Sequence, residues 1–271
     1  MRVTVIGAGK VGAALAREIR AHGGRVTLRA ARDGLPRRAI GGDLLVLAVR
    51  DRDLAPLAAS LAEARLVSPR TAVVHVAGAL GPAPLAALRP VSAGVAQMHP
   101  MISFASPSRP PRLDAGNMHI QGDPVAVLRA RRLARAIGMT PRTIDGLDPI
   151  GYHAAAGLVA NGAAALAAMG AKVLEAAGVP EGVALAMLGP LLRSVADNVC
   201  ALGFPAALTG PVRRGDPAGI ERHLAILKER VPEAVPLFVA SGLAQVPLAR
   251  ALGDAPTDSF DAIQAILRAA L

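Results

Sequence analysis

The sequence lacks several residue types that secreted and nucleic-acid-binding proteins rely on. Its one cysteine, Cys200, cannot form an intramolecular disulfide, which is typical of a reducing compartment. There is no tryptophan and only one tyrosine, and the arginines are scattered, so base stacking along a nucleic acid is not expected. Arg2 leads directly into an apolar strand and a glycine loop, which leaves no room for a signal peptide. We expect a cytoplasmic protein that binds no nucleic acid.

Lysine is also scarce, since only Lys10, Lys172 and Lys228 occur, and arginine supplies most of the formal net charge of +10. This positive charge suits ligands that bear phosphate, although solvated arginines on the surface explain most of the net charge. The six histidines and one cysteine show no metal-ligand spacing, so no metal site is predicted.

Long hydrophobic runs of the kind that cross membranes are not evident either. The longest uncharged run covers residues 154–171, but it consists mostly of alanine and glycine and contains Asn161. Because it lacks the leucine, isoleucine and phenylalanine density that drives membrane insertion, we interpret it as a buried helix of small residues.

The pattern of apolar runs changes along the chain near Asp145. Before it, short apolar runs alternate with helical stretches, as in parallel βαβ units. The predicted strands cover residues 3–6, 26–28, 44–49, 72–76, 95–98 and 118–121, with a helix over 11–21. After it, the predicted helices cover residues 149–177, 181–202, 217–230, 233–251 and 259–270. The sequence therefore predicts an α/β protein, with a Rossmann-like, doubly wound, mostly parallel sheet over residues 1–147 and an all-helical domain over 148–271.

A glycine loop follows the first predicted strand and opens the first helix. In this G-x-G-x-x-G motif, Gly7 permits a tight turn, Gly9 lets a pyrophosphate approach the backbone, and Gly12 allows close packing of helix on strand. The N-terminus of the helix offers free N–H groups and a positive dipole to phosphates. We therefore predict a dinucleotide site formed by Gly7, Ala8, Gly9, Lys10, Val11 and Gly12.

The residues after the second strand choose between NAD and NADP. An acid at this place binds the ribose 2′-hydroxyl, whereas an arginine accommodates a 2′-phosphate. Arg32, with Arg29 behind it, occupies the place of the acid, and Asp33 comes one residue late. The sequence therefore favours NADP over NAD.

The ends of the later strands supply further cofactor contacts. Val49, Arg50 and Asp51 follow the third strand, where the main chain normally passes beneath the cofactor. His75 and Gly78 follow the fourth strand, on the edge that we expect to contact the nicotinamide.

Candidate catalytic residues come from both halves of the chain. His99 ends a predicted strand at the carboxyl edge of the sheet, where its imidazole can donate a proton or hydrogen bond to a substrate carbonyl. The alternative is a histidine that caps the strand. On the first helix of the second half, His153, Gly157 and Asn161 lie four residues apart and share one face. This face suits a small substrate or a structural pair, and Tyr152 is a third possible donor.

A polar loop between helices supplies candidates for substrate binding. Thr209 begins it, and either Arg213 or Arg214 can bind a carboxylate through two hydrogen bonds. Asp216 precedes a proline, and capping of the next helix competes with a role in binding.

These features together resemble proteins that pair a Rossmann-like NADP-binding domain with a helical C-terminal domain of unknown function, DUF2520. The resemblance covers nearly the whole chain. It is carried by the glycine loop, His75 with Gly78, His99-Pro100, Tyr152-His153-Ala154-Ala155-Ala156, Asn161, Ala207-Leu208-Thr209-Gly210-Pro211, Arg214-Gly215-Asp216 and His223-Leu224.

The family is similar to ketopantoate reductase, pyrroline-5-carboxylate reductase and deazaflavin-dependent NADP oxidoreductases, with a C-terminal domain like that of 6-phosphogluconate dehydrogenase. The resemblance implies that a small carboxylate-bearing substrate lies between the domains and that the helical domain forms a homodimer. It also implies reduction of a keto or imino acid by NADPH.

One departure from these relatives concerns the proton donor. The ketopantoate and hydroxyacid relatives carry a lysine four residues before the asparagine of the long helix, where this chain has Gly157. A reductase of this sequence must therefore take its proton from His153, Tyr152, His99 or water. The competing interpretation is a dinucleotide-binding regulator or scaffold without turnover, which the missing lysine favours.

Overall fold

The computed structural model describes residues 1–114 and 116–271, which divide into two compact units, Met1–Gly157 and Leu158–Leu271. We predicted a boundary after residue 147. The observed boundary lies later because the first two turns of the long helix carry Tyr152 and His153, whose rings contact His99 of the first unit.

A single sheet organises the first unit. Within the described residues it has seven strands, namely β1 (Arg2–Ile6), β2 (Arg25–Arg29), β3 (Leu44–Leu47), β4 (Ala72–His75), β5 (Val95–Pro100), β6 (Asn117–Gly122) and β7 (Thr140–Arg142). Their order is β2-β1-β3-β4-β5-β6-β7, and each neighbouring pair is parallel except β5 and β6. This confirms the predicted Rossmann-like, mostly parallel sheet.

Both faces of the sheet are covered, which explains why its central strands are continuously apolar. Along β3, Leu44 and Val46 pack with Leu15 of one helix layer, while the alternate residues pack with Leu54 of the other layer. The helices of this unit are α1 (Lys10–Ala21), α2 (Asp51–Glu63) and α3 (Pro124–Ala136). Short 3₁₀ segments cover Ala31–Asp33 and Ala83–Val91.

The rest of the described chain is helical, as predicted. Its helices are α4 (Pro149–Ala176), α5 (Val183–Leu202), α6 (Pro217–Arg230), α7 (Val235–Leu252) and α8 (Thr257–Arg268), with a 3₁₀ turn at Pro232–Ala234. The core of the second unit comes chiefly from α6, α7 and α8, where Leu224, Val239 and Phe260 are buried. The long helix α4 starts in the first unit and continues into the second.

The expectation that residues 154–171 form a buried helix is wrong for the single chain. No residue of α4 is buried, and α5 buries only Ala184. By length and composition alone, the segments Pro149–Ala176, Val183–Leu202 and Pro232–Leu252 are apolar enough to cross a membrane. The helical unit therefore presents an extensive apolar surface on two of its helices.

Candidate functional site

The glycine loop between β1 and α1 has the geometry that its sequence predicts. Gly7 adopts a φ of +114°, and a Cβ there would collide with the carbonyl of Ala48 after β3. A Cβ at Gly12 would collide with the carbonyl oxygen of Gly7. Two of the three glycines are therefore required by close backbone packing alone.

Gly9 differs, because nothing lies within 4 Å of the place that its Cβ would take. It caps α1 without any side-chain hydrogen bond, and the first helical bond runs from Ala13 N to Gly9 O over 2.9 Å. The N–H groups of Lys10, Val11 and Gly12 precede that bond. The open space above Gly9 thus borders the free donors of a helix N-terminus, as a bound phosphate requires.

A cavity of about 330 Å³ lies over this loop. It is lined by Gly7, Ala8, Gly9, Ala30, Ala31, Arg32, Ala48, Val49, Arg50 and Asp53. It therefore lies at the carboxyl ends of β1 and β3. In the sheet, β2 lies on one side of β1 and β3 on the other, so the order of the strands reverses here. This is the topological switch point where doubly wound sheets bind ligands.

The predicted cofactor residues divide into several groups. Arg32, Val49 and Arg50 line the cavity with the glycine loop, and the Arg32 guanidinium has no hydrogen bond to the described residues. Arg29 instead donates to the carbonyl oxygens of Asp33, Gly34 and Leu35, so it holds the loop after β2 in shape. Asp51 is the first residue of α2 and does not line the cavity. Asp53, two residues farther along the helix, does line it, and the sequence analysis did not identify it.

His75 serves the backbone and not a ligand. Ala77 N–H donates to its Nδ1 over 3.1 Å, and its Nε2 donates to Gly81 O over 2.5 Å. Since both ring nitrogens are used, our expectation that His75 contacts the nicotinamide loses its basis. The ring is fully buried, and this burial lowers its pKa, so it stays neutral and fixes the turn after β4.

A ladder of polar side chains lies on one face of β5 and β6. The antiparallel register places Gln97 opposite Gln121 and His99 opposite His119. Gln97 Nε2 donates to the carbonyl oxygens of Ala77 (2.6 Å) and Gly78 (2.9 Å). Gln121 Nε2 donates to Gln97 Oε1 over 2.8 Å. The amide pair therefore fixes Gly78 beside the two histidines.

The first turns of α4 complete a cluster of rings around His99. The Tyr152 hydroxyl lies 3.1 Å from His99 Nδ1, and the His153 ring meets the His99 ring edge-on at 5.7 Å between centroids. A Cβ on Gly78 would lie 2.9 Å from His99 Nε2 and directly against His153 Nδ1. The structure thus brings His99, Tyr152, His153 and Gly78 together, and Gly78 does not line the cavity. Their roles in catalysis and cofactor binding stay predictions.

Burial and the neighbouring imidazoles disfavour a charge on His99, at the centre of the cluster. Burial, followed by the positive charges that His153, His119 and His75 would carry, lowers the pKa of His99 to about 4. Burial also raises the pKa of Tyr152, so the phenol keeps its proton. In the free protein at neutral pH, His99 is therefore a hydrogen-bonding group and not a ready proton donor.

Sequence reasoning missed His119, the fourth ring. It is only 3% exposed, its ring lies 5.2 Å from that of Tyr152, and neither ring nitrogen has a hydrogen-bond partner. Burial lowers the pKa of His119, and the nearby Gln121 side chain raises it to a smaller extent, although the two side chains do not reach hydrogen-bonding geometry. The sequence does place His119 on a predicted strand, and His99 at the end of another. Only the register of β5 and β6 shows that the two residues lie opposite each other.

The remaining predicted residues lie in the second unit. Asn161 is on α4, exposed, and shares a helix face with His153 through the spacing of eight residues. Arg213 donates to Asp254 Oδ2 (2.7 Å) and to the carbonyl oxygens of Ala206 and Leu208, so it is committed to the fold.

The loop before α6 leaves two of its predicted binding residues accessible. Thr209 and Arg214 are both exposed. Asp216 Oδ1 accepts from Gly219 N over 2.8 Å, which confirms the predicted helix cap. No group of three or more His, Cys, Asp or Glu side chains able to hold a metal ion occurs in the ranges 1–114 and 116–271.

Several solved structures share this fold. A candidate NADP oxidoreductase from Bacteroides fragilis has 20% identity and a TM-score of 0.68, over 90% of this chain and 97% of its own. Protein TM1727 from Thermotoga maritima has 20% identity and a TM-score of 0.67, over 92% and 98%. Pyrroline carboxylate reductase from Plasmodium falciparum, solved with NADP, has 12% identity and a TM-score of 0.61, over 100% and 99%. No curated protein sequence matches significantly.

A family model matches the later part of the chain. It is that of a domain of unknown function, DUF2520, and it covers residues 117–244. The match starts at β6, the strand that carries His119, and ends within α7. Residues 117–244 are therefore similar to this domain, and the match includes the last two strands of the Rossmann-like sheet as well as the helices that follow them.

Proposed function

We propose that the protein is an NADP(H)-dependent reductase of small keto or imino acids. One observation carries the proposal. The cavity over the glycine loop, at the ends of β1 and β3, and the cluster of His99, Tyr152 and His153, at the end of β5, occupy the same carboxyl edge of one sheet, with only β4 between them. This is the arrangement in which doubly wound folds bring a dinucleotide to a reacting substrate.

The cavity residues fit NADP(H). The α1 N-terminus and the open backbone at Gly9 would hold the pyrophosphate, while Arg32 at the cavity wall would pair with the 2′-phosphate. When bound, the cofactor supplies a hydride. The names of similar structures, an NADP oxidoreductase and an NADP-bound pyrroline carboxylate reductase, support this assignment.

The cluster supplies the polar groups that a carbonyl or imine needs. In the tautomer in which the Tyr152 hydroxyl donates to His99 Nδ1, the Nε2–H of His99 points to the Gly78 side, where His153 Nδ1 also lies. These groups can orient a C=O or C=N group by hydrogen bonding. Asn161, Thr209, Arg214 and Asp216 remain predictions for substrate contacts.

The choice of cofactor is tested by titrating the protein with NADPH and NADH and following cofactor fluorescence. Arg32→Ala should weaken NADPH binding about 10- to 100-fold, the value of a charged hydrogen bond, and leave NADH binding nearly unchanged. Arg37→Ala, the matched control outside the cavity lining, should change neither. Equal losses for both cofactors in Arg32→Ala would contradict the assignment of the 2′-phosphate.

Turnover is tested with NADPH and a panel of 2-keto acids and cyclic imino acids. We expect oxidation of NADPH with at least one member. If no member is oxidised although NADPH binds tightly, the result would favour the second candidate, a dinucleotide-binding regulator or scaffold. That candidate is supported by Gly157, which stands where the proteins that the sequence resembles carry a lysine.

The helical unit supports a further part of the proposal, a soluble homodimer. Within the second unit, ten large apolar side chains of α4 and α5 are at least 39% exposed. They are Leu158, Val159, Leu166, Val183, Leu185, Met187, Leu191, Leu192, Val195 and Leu202. At about 50 Å² each, they leave roughly 500 Å² of apolar area in solvent. A standard interface buries about 800 Å² per partner, of which about 60% is apolar, so the surface matches what one interface requires.

A second copy of the chain fits this surface better than a lipid bilayer. Exposed Arg193 and Asp197 interrupt α5, and exposed Asn161 and Lys172 interrupt α4. Charged side chains at the centre of a bilayer cost several kcal/mol each, whereas an interface between proteins can pair them.

Light scattering after size-exclusion chromatography tests the dimer. The wild-type protein should elute as a dimer without detergent, and Leu185→Glu with Leu191→Glu should give a folded monomer. Leu128→Glu, at a 50% exposed leucine of α3, should stay dimeric. A wild-type monomer, or wild-type protein that floats with lipid vesicles, would overturn the proposal.

A further inference from the structure

Two imidazole nitrogens in the ring cluster converge on one point of the backbone. His99 Nε2 and His153 Nδ1 both lie against the place of the missing Gly78 side chain. Within residues 1–114 and 116–271, the His99 side chain forms one hydrogen bond, through Nδ1 to Tyr152, which leaves Nε2 for a ligand. His153 is exposed, so the pair can be reached from solvent.

The groups that face His99 carry no negative charge. They are His75 from β4, His119 from β6, and Tyr152 and His153 from α4. Asp148, just before α4, accepts from the N–H groups of Ile150 and Gly151, and the charge of Asp51 acts on His75. The buried His119, with both nitrogens unpartnered, adds a second sign that the cluster is incomplete without a ligand.

We propose that His99 and His153 bind the carboxylate of the substrate, and that this carboxylate brings to His99 the proton that the reduction consumes. The inference rests on the proposed function and names its substrate class as an anionic 2-keto or imino acid. It assigns recognition of the carboxylate to the first unit and not to Arg214.

The physical reason is that a bound carboxylate changes the charges around His99. In the free protein, burial and three other imidazoles disfavour a charged His99. A carboxylate within about 4–6 Å favours the charged form of a neighbouring group by about 1–3 pH units. Binding of an anionic substrate therefore draws a proton from solvent onto His99. In the charged ring Nδ1–H donates to the Tyr152 oxygen, while Nε2–H faces the substrate.

The proton then completes the reaction. As the substrate carbon gains the hydride that a bound cofactor would supply, its oxygen or nitrogen takes the proton from Nε2, and His99 becomes neutral with its remaining proton on Nδ1. The hydride and this proton are the two hydrogens that the C=O or C=N bond gains. His99 thereby acts as the proton donor. In the ketopantoate and hydroxyacid enzymes that the sequence resembles, a lysine has this role, at the position where this chain has Gly157.

Calorimetric titration with oxalate, an unreactive dicarboxylate, tests the inference on the whole protein with saturating NADP⁺. For a rise of about two pH units in the proton affinity of His99, oxalate should bind roughly tenfold more tightly at pH 5 than at pH 7. Titrations at pH 5.5 in two buffers of different ionisation enthalpy should give uptake of about 0.7 proton per site.

Variants identify the group that takes up the proton. His99→Gln should abolish both the uptake and the pH dependence. His153→Gln, at an exposed position that does not endanger folding, should weaken oxalate binding about tenfold and keep the uptake. His22→Gln, at an exposed histidine after α1, should behave like the wild type.

Three results would overturn the inference: no binding of millimolar oxalate, binding without proton uptake, or uptake that persists in His99→Gln. Turnover of keto acids combined with any of these would leave the proposed function standing. Oxalate binding with proton uptake but no turnover of any substrate would reject the proposed function alone.

Discussion

At the residue scale, a substitution at Gly9 can weaken cofactor binding without disturbing the fold. Its two companions, Gly7 and Gly12, press against backbone atoms, so substitutions there disturb the fold itself. Gly9 meets nothing within 4 Å and has φ of −75°, a conformation that alanine adopts freely.

We therefore predict that Gly9→Ala folds with an unchanged melting temperature and binds NADPH at least tenfold more weakly, because its methyl group takes the space of the pyrophosphate. Gly41→Ala, at a loop glycine that also meets nothing within 4 Å, is the matched control and should bind normally. The measurements are differential scanning calorimetry and fluorescence titration. Normal binding by Gly9→Ala would mean that the pyrophosphate lies elsewhere.

Sequence reasoning at this scale located polar side chains but not their partners. Arg29 and His75 have residue types that suit a cofactor site, yet both use their nitrogens to hold backbone turns. Buried backbone groups compete with a ligand for the same side-chain nitrogens. Only the tertiary structure shows whether the backbone or the ligand forms the hydrogen bond.

At the element scale, helix ends were predictable to within two residues in the second unit, because capping signals are local. The short strand β7 was missed. It consists of Thr140, Pro141 and Arg142 at the edge of the sheet, and such a segment has no apolar periodicity to detect.

Capping of α6 gives a prediction at this scale. Asp216→Ala removes the acceptor of Gly219 N and should lower the free energy of unfolding by about 1 kcal/mol in urea denaturation. Asp216→Asn keeps an acceptor and should lose only a few tenths of a kcal/mol. If both variants are destabilised equally, the charge of Asp216, paired at 3.8 Å with Arg222, matters more than its cap.

At the scale of the whole chain, buried histidines tie stability to pH. His75, His99 and His119 have pKa values below the ordinary value of 6.5 in the folded protein. The unfolded chain then binds more protons than the folded one below about pH 6.5. Stability is therefore complete above this pH and is lost as the pH falls from about 6.5 toward 4.

Urea denaturation between pH 5 and 8 measures this loss, which should reach at most about 1.4 kcal/mol per pH unit for each histidine. His119→Leu should reduce the slope at little cost at pH 8, because neither nitrogen of His119 has a partner to lose. His22→Gln should keep the wild-type slope. Stability that rises on acidification would contradict the prediction.

The sequence by itself determined the local features: the glycine loop, the change from alternating strands to helices near Asp145, the position of Arg32 and the cap at Asp216. Each depends on residues that are neighbours along the chain, so their spacing reveals them.

The tertiary structure alone decided which distant side chains meet. The reversed direction of β6 brings His119 beside His99, the first turns of α4 add Tyr152 and His153, and the Gln97–Gln121 pair holds Gly78 between them. It also showed that α4 is exposed in the single chain, although its composition indicated burial. Both depend on register and packing between segments far apart in sequence, which residue spacing does not encode.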